Sequence, residues 1–334
     1  MGRVFAACAA VTMTAILAPC APGRAGEKAE QDANLRAALE LALVPPRINT
    51  QPGEAYADDN RDFNMIIGAD RTPGGRIWTA WVSGGDSDEA YFVLATSDDE
   101  GETWSGPRVV IDPKNHSAGL RRRTLVGNLW TDPAGRLWLF FDQSIGFFDG
   151  RAGDWYTRCD NPDATRPAWT KPVRIWHGCT LQKPVVLSTG DWLLPVSLWQ
   201  RYFNPRRGRE IFAGLDDDRR AWVFASTDGG ATWRKRGGVR FPHFNFDEHI
   251  IVELKDGRLW MTARTRKGIY ETFSGDGGRT WAPPAPSAIV NTPARHFVRR
   301  LASGRILLVK NGPIDRNVGR RQLTAFLSAD EGKT

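Results

Sequence analysis

The sequence "STDGGATW", residues Ser226–Trp233, is the most informative part of the chain for the fold, because other parts of the chain repeat it. Ser97–Trp104 reads "SDDEGETW", Ser274–Trp281 reads "SGDGGRTW", and Ser328–Thr334 reads "SADEGKT". The shared pattern is S-x-D-x-G-x-T-W, and the last copy stops one residue before the Trp. Self-similarity of this kind is the sequence signature of a repeat architecture.

The residue types in this pattern are those of a tight turn. Ser and Asp side chains can hydrogen-bond to nearby backbone amides, and Gly supplies a positive φ. We therefore expect these residues to be structural rather than catalytic, with each Trp packed between neighbouring sheets. The structural set is Ser97, Asp99, Gly101, Trp104, Ser226, Asp228, Gly230, Trp233, Ser274, Asp276, Gly278, Trp281, Ser328 and Asp330.

A second recurring element, a Gly turn between two apolar runs, precedes each copy of the pattern. Its glycines are Gly75, Gly135, Gly190, Gly257 and Gly304, at spacings of 60, 55, 67 and 47 residues. The second unit lacks a clear copy of the pattern, and "CDNPDATRPAWTKP" (Cys159–Pro172) indicates a degenerate copy with an insertion. About four strands per unit of this length predicts β-propeller blades, and hence an all-β fold.

The S-x-D-x-G-x-T-W turn is the Asp-box, and the chain from about Arg61 to Thr334 resembles the sialidase (BNR-repeat) superfamily. Sialidases have six blades, whereas the sequence shows five units, the fifth interrupted. The resemblance therefore implies a six-bladed β-propeller over residues 49–334 that is incomplete at its C-terminus, with about five blades present.

The N-terminal region predicts export. Arg3 is followed by an apolar run and then by small residues, which is typical of a signal peptide over residues 1–25 and too short for a membrane span. Residues 26–48 are expected to form a short amphipathic helix and a linker. We expect a secreted or periplasmic protein, in which Cys159 and Cys179 either pair or remain free thiols.

Charge and composition exclude some functions. The formal net charge is +7 and the pI about 9.4, but the basic residues are scattered along the chain and accompany no nucleic-acid motif. No His/Cys cluster indicates a metal. We expect no nucleic-acid partner, no metal and no cofactor, and a monomer that binds a glycan.

The turn glycines locate candidate site residues, since the innermost strand of each blade begins about nine residues before its Gly, near the central axis. This spacing falls on Glu248, on Arg295, and on Leu181 beside Gln182 and Lys183. A polar residue that opens a buried strand needs a partner or a ligand. For Glu248 and Arg295 we favour a ligand.

The segment "DEHIIVELKDGRLWMTAR" resembles the part of sialidases in which a Glu opens one strand and an Arg closes the next, 16 residues later. Glu248 and Arg264 occupy those positions. The resemblance implies that Glu248 is the base for a tyrosine nucleophile and that Arg264 binds the substrate carboxylate. Arg320, with Arg321 as its neighbour, matches a second clamp arginine, although a solvated basic turn explains this pair equally well.

Elsewhere the chain departs from the sialidase pattern. The first strand reads "RDFNMIIGAD", without the Arg-Ile-Pro motif. The acid/base Asp is expected in "WTAWVSGGDSDEA", where Asp86 fits best and Asp88 and Glu89 are alternatives. No tyrosine of the chain fits the nucleophile, which is expected beyond Thr334.

Two functions follow from this pattern. The first is an exported, retaining, sialidase-like exo-glycoside hydrolase acting on a terminal acidic sugar. The second is a non-catalytic Asp-box propeller that binds a glycan or a protein, because the fold alone does not fix the function.

Overall fold

The computed structural model describes residues 24–113, 116–117, 120–201 and 210–333. Five antiparallel sheets follow one another along these residues and form the blades of a β-propeller. The all-β propeller predicted from the repeat is therefore confirmed, with five blades in the described part of the chain.

Each blade is a meander in which consecutive strands pair, and four of the five blades have four strands. Blade 1 contains β1 Met65–Arg71, β2 Ile77–Ser83, β3 Tyr91–Ser97 and β4 Val109–Ile111. A hairpin of β5 His116–Ser117 and β6 Leu120–Arg123 precedes blade 2 and pairs with its second strand. Blade 2 contains β7 Gly127–Thr131, β8 Leu137–Ile145, β9 Gly153–Cys159 and β10 Val173–Trp176.

The remaining strands form blades 3 to 5. Blade 3 contains β11 Val185–Val186, β12 Trp192–Ser197, β13 Ala221–Ser226 and β14 Arg234–Val239. Blade 4 contains β15 Phe244–Glu253, β16 Leu259–Thr265, β17 Gly268–Ser274 and β18 Ala285–Pro286. Blade 5 has three strands, β19 Phe297–Arg300, β20 Ile306–Asn311 and β21 Leu323–Ser328. Contacts of β1 with β7, and of β15 with β11 and β19, place the first strands of the blades around a common axis.

The Asp-boxes share one hydrogen-bond pattern, shown here for the box of blade 3. Ser226 Oγ accepts from the Gly230 amide at 2.8 Å, and Asp228 accepts from the Thr232 amide at 2.9 Å and from its hydroxyl at 2.7 Å. The Thr side chain and amide lower the pKa of Asp228 to about 2, and the pKa of Asp99 falls to the same value for the same reason. Gly230 has φ +86°, and a Cβ at this position would lie 2.6 Å from the Trp138 ring, so glycine is required there.

The degenerate copy in blade 2 forms the same turn with different atoms. Asn161 takes the place of the aspartate, and its Oδ1 accepts from the Ala168 amide at 2.9 Å. Cys159 Sγ lies 3.4 Å from the same oxygen, in the place of the serine hydroxyl. An amide oxygen can therefore accept the turn's hydrogen bonds in place of a carboxylate.

The box tryptophans differ in their packing. Trp169 lies 5.6 Å from the Trp78 ring of blade 1, and Trp233 lies 5.9 Å from the Phe140 ring of blade 2. Trp281 joins the apolar cluster that contains Leu193 of blade 3. Each of these tryptophans packs on the preceding blade.

Trp104 does not follow this rule, because 47% of its surface is exposed. Among the described residues no blade precedes blade 1, so the indole has no apolar face to cover it. The expectation that every box Trp is packed between sheets is therefore wrong for Trp104.

The N-terminal segment lies against blade 2. Helix α1, Arg24–Glu40, is followed by a single 3-10 turn, Leu41–Leu43. Gln143 donates to the carbonyls of Ala42 at 3.0 Å and Val44 at 2.8 Å, which holds the end of this segment. Most of the proposed signal peptide lies outside the described residues.

Two further properties bear on membrane association and on disulfide bonding. No helix in the described ranges is both long and apolar enough to span a membrane. Cys159 and Cys179 are both free and buried.

Candidate active site

The five inner strands all begin at one face of the propeller, which we call the site face. Since neighbouring strands in each blade are antiparallel, second strands end and third strands begin at this same face. The Asp-boxes, which follow the third strands, lie at the opposite face, which we call the Asp-box face. Functional side chains near the axis should therefore come from the starts of inner strands and from the loops at the site face.

An ion pair between Glu248 of β15 and Arg264 of β16 lies at the site face. Arg264 Nη1 lies 3.0 Å from each of the two Glu248 carboxylate oxygens. Only 9% of the Glu248 side chain and 13% of the Arg264 side chain are exposed. The structure thus brings these two sequence-predicted residues together in a shielded position near the axis.

Aromatic rings support the Arg264 side chain. The Phe246 ring lies 5.1 Å from the guanidinium carbon of Arg264 and 5.0 Å from the Trp199 ring. Trp199 in turn lies 5.6 Å from Phe148. Such a stack fixes the direction of the guanidinium and lowers the local dielectric around it.

Arg295, which immediately precedes blade 5, belongs to the same cluster. Burial lowers the pKa of Arg295, the Glu248 carboxylate opposes this shift, and the Arg264 guanidinium adds to it. Arg295 contacts Leu181, which lines a small pocket together with Glu248. Its guanidinium donates to the Leu181 carbonyl, which also accepts from Asn128 Nδ2 at 3.0 Å. The Leu181 carbonyl therefore links blades 2, 3 and 5 at the axis.

Gln182 and Lys183 lie next to each other in the chain but have different surroundings. Gln182 is buried and lines a small pocket with Glu248 and His249, and its Nε2 has no hydrogen-bond partner among the described residues. Lys183 Nζ donates to the Ala69 carbonyl at 2.6 Å and pairs with Asp70 at 2.9 Å, which ties blade 3 to blade 1. Lys183 also lines an axial cavity of about 460 Å³ toward the Asp-box face. The structure thus brings Gln182, but not Lys183, to Glu248.

The two remaining predicted residues are exposed. Asp86 lies in the turn between β2 and β3, at the site face. Of its alternatives, Asp88 is exposed and Glu89 pairs with Arg121. Arg320 is exposed, and its Nη2 lies 3.4 Å from the Pro293 carbonyl, two residues before Arg295. The described contacts do not join Asp86 or Arg320 to Glu248.

Sequence reasoning missed three side chains that surround the cluster: Phe246, Trp199 and His249. Phe246 and His249 lie within two residues of Glu248, but no pattern in the segment "FNFDEH" singles them out. Trp199 follows a strand in another blade, and no sequence pattern connects it to Glu248.

The cluster combines two guanidinium groups with one carboxylate. Because Glu248 neutralises one positive charge, the three side chains carry a net charge of about +1 in a shielded environment, which favours an anionic ligand. The carboxylate can also accept a proton from a hydroxyl group nearby. In the described part of the chain, no group of His, Cys, Asp and Glu side chains could hold a metal ion.

Comparisons with known proteins agree with this architecture. The family model for a BNR repeat-like domain matches residues 75–334. A curated xyloglucanase from Paenibacillus sp. is 26% identical over 216 residues, which cover 60% of this chain and 19% of that protein.

Solved structures of sialidases share the fold. A Hadza microbial sialidase superposes with a TM-score of 0.62 at 18% identity, over 83% of this chain and 58% of that one. An intramolecular trans-sialidase from Ruminococcus gnavus, in complex with oseltamivir carboxylate, gives a TM-score of 0.60 at 13% identity, over 82% of this chain and 81% of that one. The chain thus spans about a fifth of the curated relative and under two thirds of the first of these sialidases. At these identities the likeness concerns the fold alone.

Proposed function

The chain belongs to the BNR repeat-like family, and from that premise we propose that the complete protein is a sialidase-like exo-glycoside hydrolase. It releases a terminal acidic sugar with retention of configuration. The observation that carries this proposal is the shielded cluster of Glu248, Arg264 and Arg295 near the propeller axis.

The charge of this cluster supports an acidic substrate. Arg264 is held by Glu248, while Arg295 contributes a second guanidinium, which donates to the neutral carbonyl of Leu181. A sugar carboxylate would balance the excess positive charge and could form paired hydrogen bonds with a guanidinium. Arg320, on the loop beside Pro293, would add a further contact when substrate is bound.

The proposed reaction needs three groups. Glu248 takes the proton of a tyrosine hydroxyl, whose oxygen attacks the anomeric carbon as the bond to the leaving oxygen breaks. Asp86 donates a proton to that leaving oxygen and later removes one from the water that hydrolyses the glycosyl-enzyme. Asp86 is on the site face and solvent-exposed, so substrate binding or movement of its turn must bring it to the sugar.

We place the tyrosine on a sixth blade between blade 5 and blade 1. Two observations support such a blade: Trp104 of blade 1 is uncovered, and Leu323 and Leu327 of blade 5 are 75% and 52% exposed. In blades 2 to 4 the equivalent surfaces are covered by an adjacent blade. We also propose export of the protein, on the evidence of the signal-like residues 1–25, and action as a monomer.

The decisive experiment is an assay of the protein from the complete gene against aryl glycosides, including sialosides. Turnover of a sialoside or another acidic glycoside, with release of the sugar in its original anomeric configuration by NMR, is the expected result. Absence of turnover with every glycoside by a correctly folded protein would refute the enzyme hypothesis.

A non-catalytic glycan- or protein-binding propeller remains the second candidate. The specific observation in its favour is that Asp86 is exposed and makes no described contact with the Glu248 cluster. In that case the folded protein binds an acidic glycan without cleaving it, and calorimetry would detect the binding that the turnover assay misses.

A further inference from the structure

The backbone at Glu248 is irregular. The pairing of β15 with β16 shifts register on both sides of Asp247, between Phe244 and Asp247 and again between Asp247 and Ile250. Glu248 has φ +26°, a conformation that non-glycine residues rarely adopt. Strain of this kind persists only where surrounding contacts hold it.

The next residue, His249, makes such contacts. His249 is only 2% exposed, and its side chain extends from blade 4 into blade 3. His249 Nε2 lies 2.8 Å from the Trp222 carbonyl of β13, and Nδ1 lies 3.3 Å from Ser197 Oγ of β12. A carbonyl can only accept, so Nε2 carries the proton and Nδ1 accepts from the Ser197 hydroxyl. Burial lowers the pKa of His249 to about 4, so this neutral tautomer persists at ordinary pH.

We propose that His249 is a positioning residue for Glu248: by anchoring the bulge in β15 to blade 3, it directs the Glu248 carboxylate toward Arg264. The inference rests on the proposed function only for its kinetic consequence. Its structural consequence, the conformation of residue 248, is independent of any activity.

A purely structural role of His249, as one of several links between blades 3 and 4, is the competing explanation. The chain offers a matched control at the other end of the same strand. Ser188 Oγ of blade 3 donates to Glu253 at the end of β15, at 2.7 Å. Ser188→Ala therefore removes a hydrogen bond between the same two blades, far along β15 from Glu248.

The test compares the complete protein with its H249L, H249Q and S188A variants. H249L, which keeps the volume but removes both hydrogen bonds, should lower kcat at least tenfold while KM changes less than threefold. H249Q should restore kcat to within threefold of the unaltered protein, because the Gln amide can donate to Trp222 and accept from Ser197. S188A should leave kcat and KM unchanged. If H249L does not fold, H249N takes its place, since its shorter amide cannot reach both partners.

Crystal structures of the same variants separate this inference from the proposed function. In H249L or H249N the φ angle of residue 248 should leave the positive region, and the contact between Arg264 and Glu248 should lengthen beyond hydrogen-bond distance. In H249Q both should be retained. The inference is overturned if the folded H249L or H249N variant keeps the Glu248–Arg264 contact, or if S188A lowers kcat as much as they do. A protein without glycosidase activity would refute the proposed function, and the structural comparison would still decide the role of His249.

Discussion

At the Asp-box face the turns of blades 1, 3 and 4 are each stabilised by hydrogen bonds within a stretch of eight residues, from Ser226 to Trp233 in blade 3. At the site face the contacts join residues far apart in the chain, such as Leu181 with Arg295, or Phe246 with Trp199. The first face repeats the same bonds in several blades, whereas the second has a different side chain at the start of each inner strand. The repeated turns therefore build the frame, and the candidate site occupies positions where the repeat varies.

The greatest loss of catalytic rate is expected from a substitution at the site face. Glu248→Gln keeps a hydrogen-bonding group beside Arg264 but removes the proposed base, so under the proposed function the rate should fall by about 10²- to 10⁴-fold. Because the neutral amide leaves the buried guanidinium charges of Arg264 and Arg295 uncompensated, the thermal unfolding midpoint should also fall, so the rates are compared per folded molecule. Steady-state kinetics and calorimetry on the complete protein measure both, and a folded variant with an unaltered rate would exclude Glu248 as the base.

Trp233→Ala instead removes packing at the Asp-box face. The indole packs on Phe140 of the preceding blade, and because Trp233 is partly buried we expect a loss of about 3 kcal/mol in the free energy of unfolding, the lower end for aromatic truncation. Urea denaturation provides the measurement. The rate per folded molecule should stay unchanged, and a variant that lost activity without losing stability would contradict the division between the two faces.

Asp228→Asn should change the pH dependence of stability at the Asp-box face. The pKa of Asp228 is about 2 in the folded protein, below its value of about 3.9 in an unfolded chain, so the native state binds fewer protons. Its stabilising contribution is therefore complete above about pH 4 and disappears as the pH falls toward 2. The variant should fold, since the box of blade 2 already uses Asn161. Urea midpoints of the two proteins should differ at pH 7 and converge near pH 2, and a difference independent of pH would refute this account.

The smallest effect is expected at Trp104. Since nearly half of this indole is exposed in residues 24–333, Trp104→Ala in a protein of this length should lower the free energy of unfolding by only about 1 kcal/mol. In the complete protein, a sixth blade over Trp104 would raise the cost toward that of Trp233→Ala. Equal, small costs in both proteins, measured by urea denaturation, would argue against the sixth blade.

The frame could be predicted from the sequence because each of its units is local. The Asp-boxes, the turn glycines and the degenerate copy at Cys159–Pro172 are all visible as short patterns, and the propeller follows from their number and spacing. The sequence could not show that Trp104 lacks a neighbour, since its box is identical in type to those of blades 3 and 4.

The site was predictable only in part. Glu248 and Arg264 stood out by their spacing and their resemblance to sialidases, and the structure places them 3.0 Å apart. The same spacing rule selected Lys183, but successive residues of a strand point in different directions, and its ammonium pairs with Asp70 instead. His249 gave no signal, because its partners Ser197 and Trp222 belong to another blade.

Strand β21 is the outermost strand of blade 5 in the described part of the chain. Leu323 and Leu327 on it are exposed, and no described strand pairs with its outer backbone groups. Such an edge accepts any extended polypeptide in register, including the same strand of another molecule. For residues 1–334 alone we therefore expect self-association through β21 to compete with the monomeric state, so stabilities should be compared at matched protein concentrations.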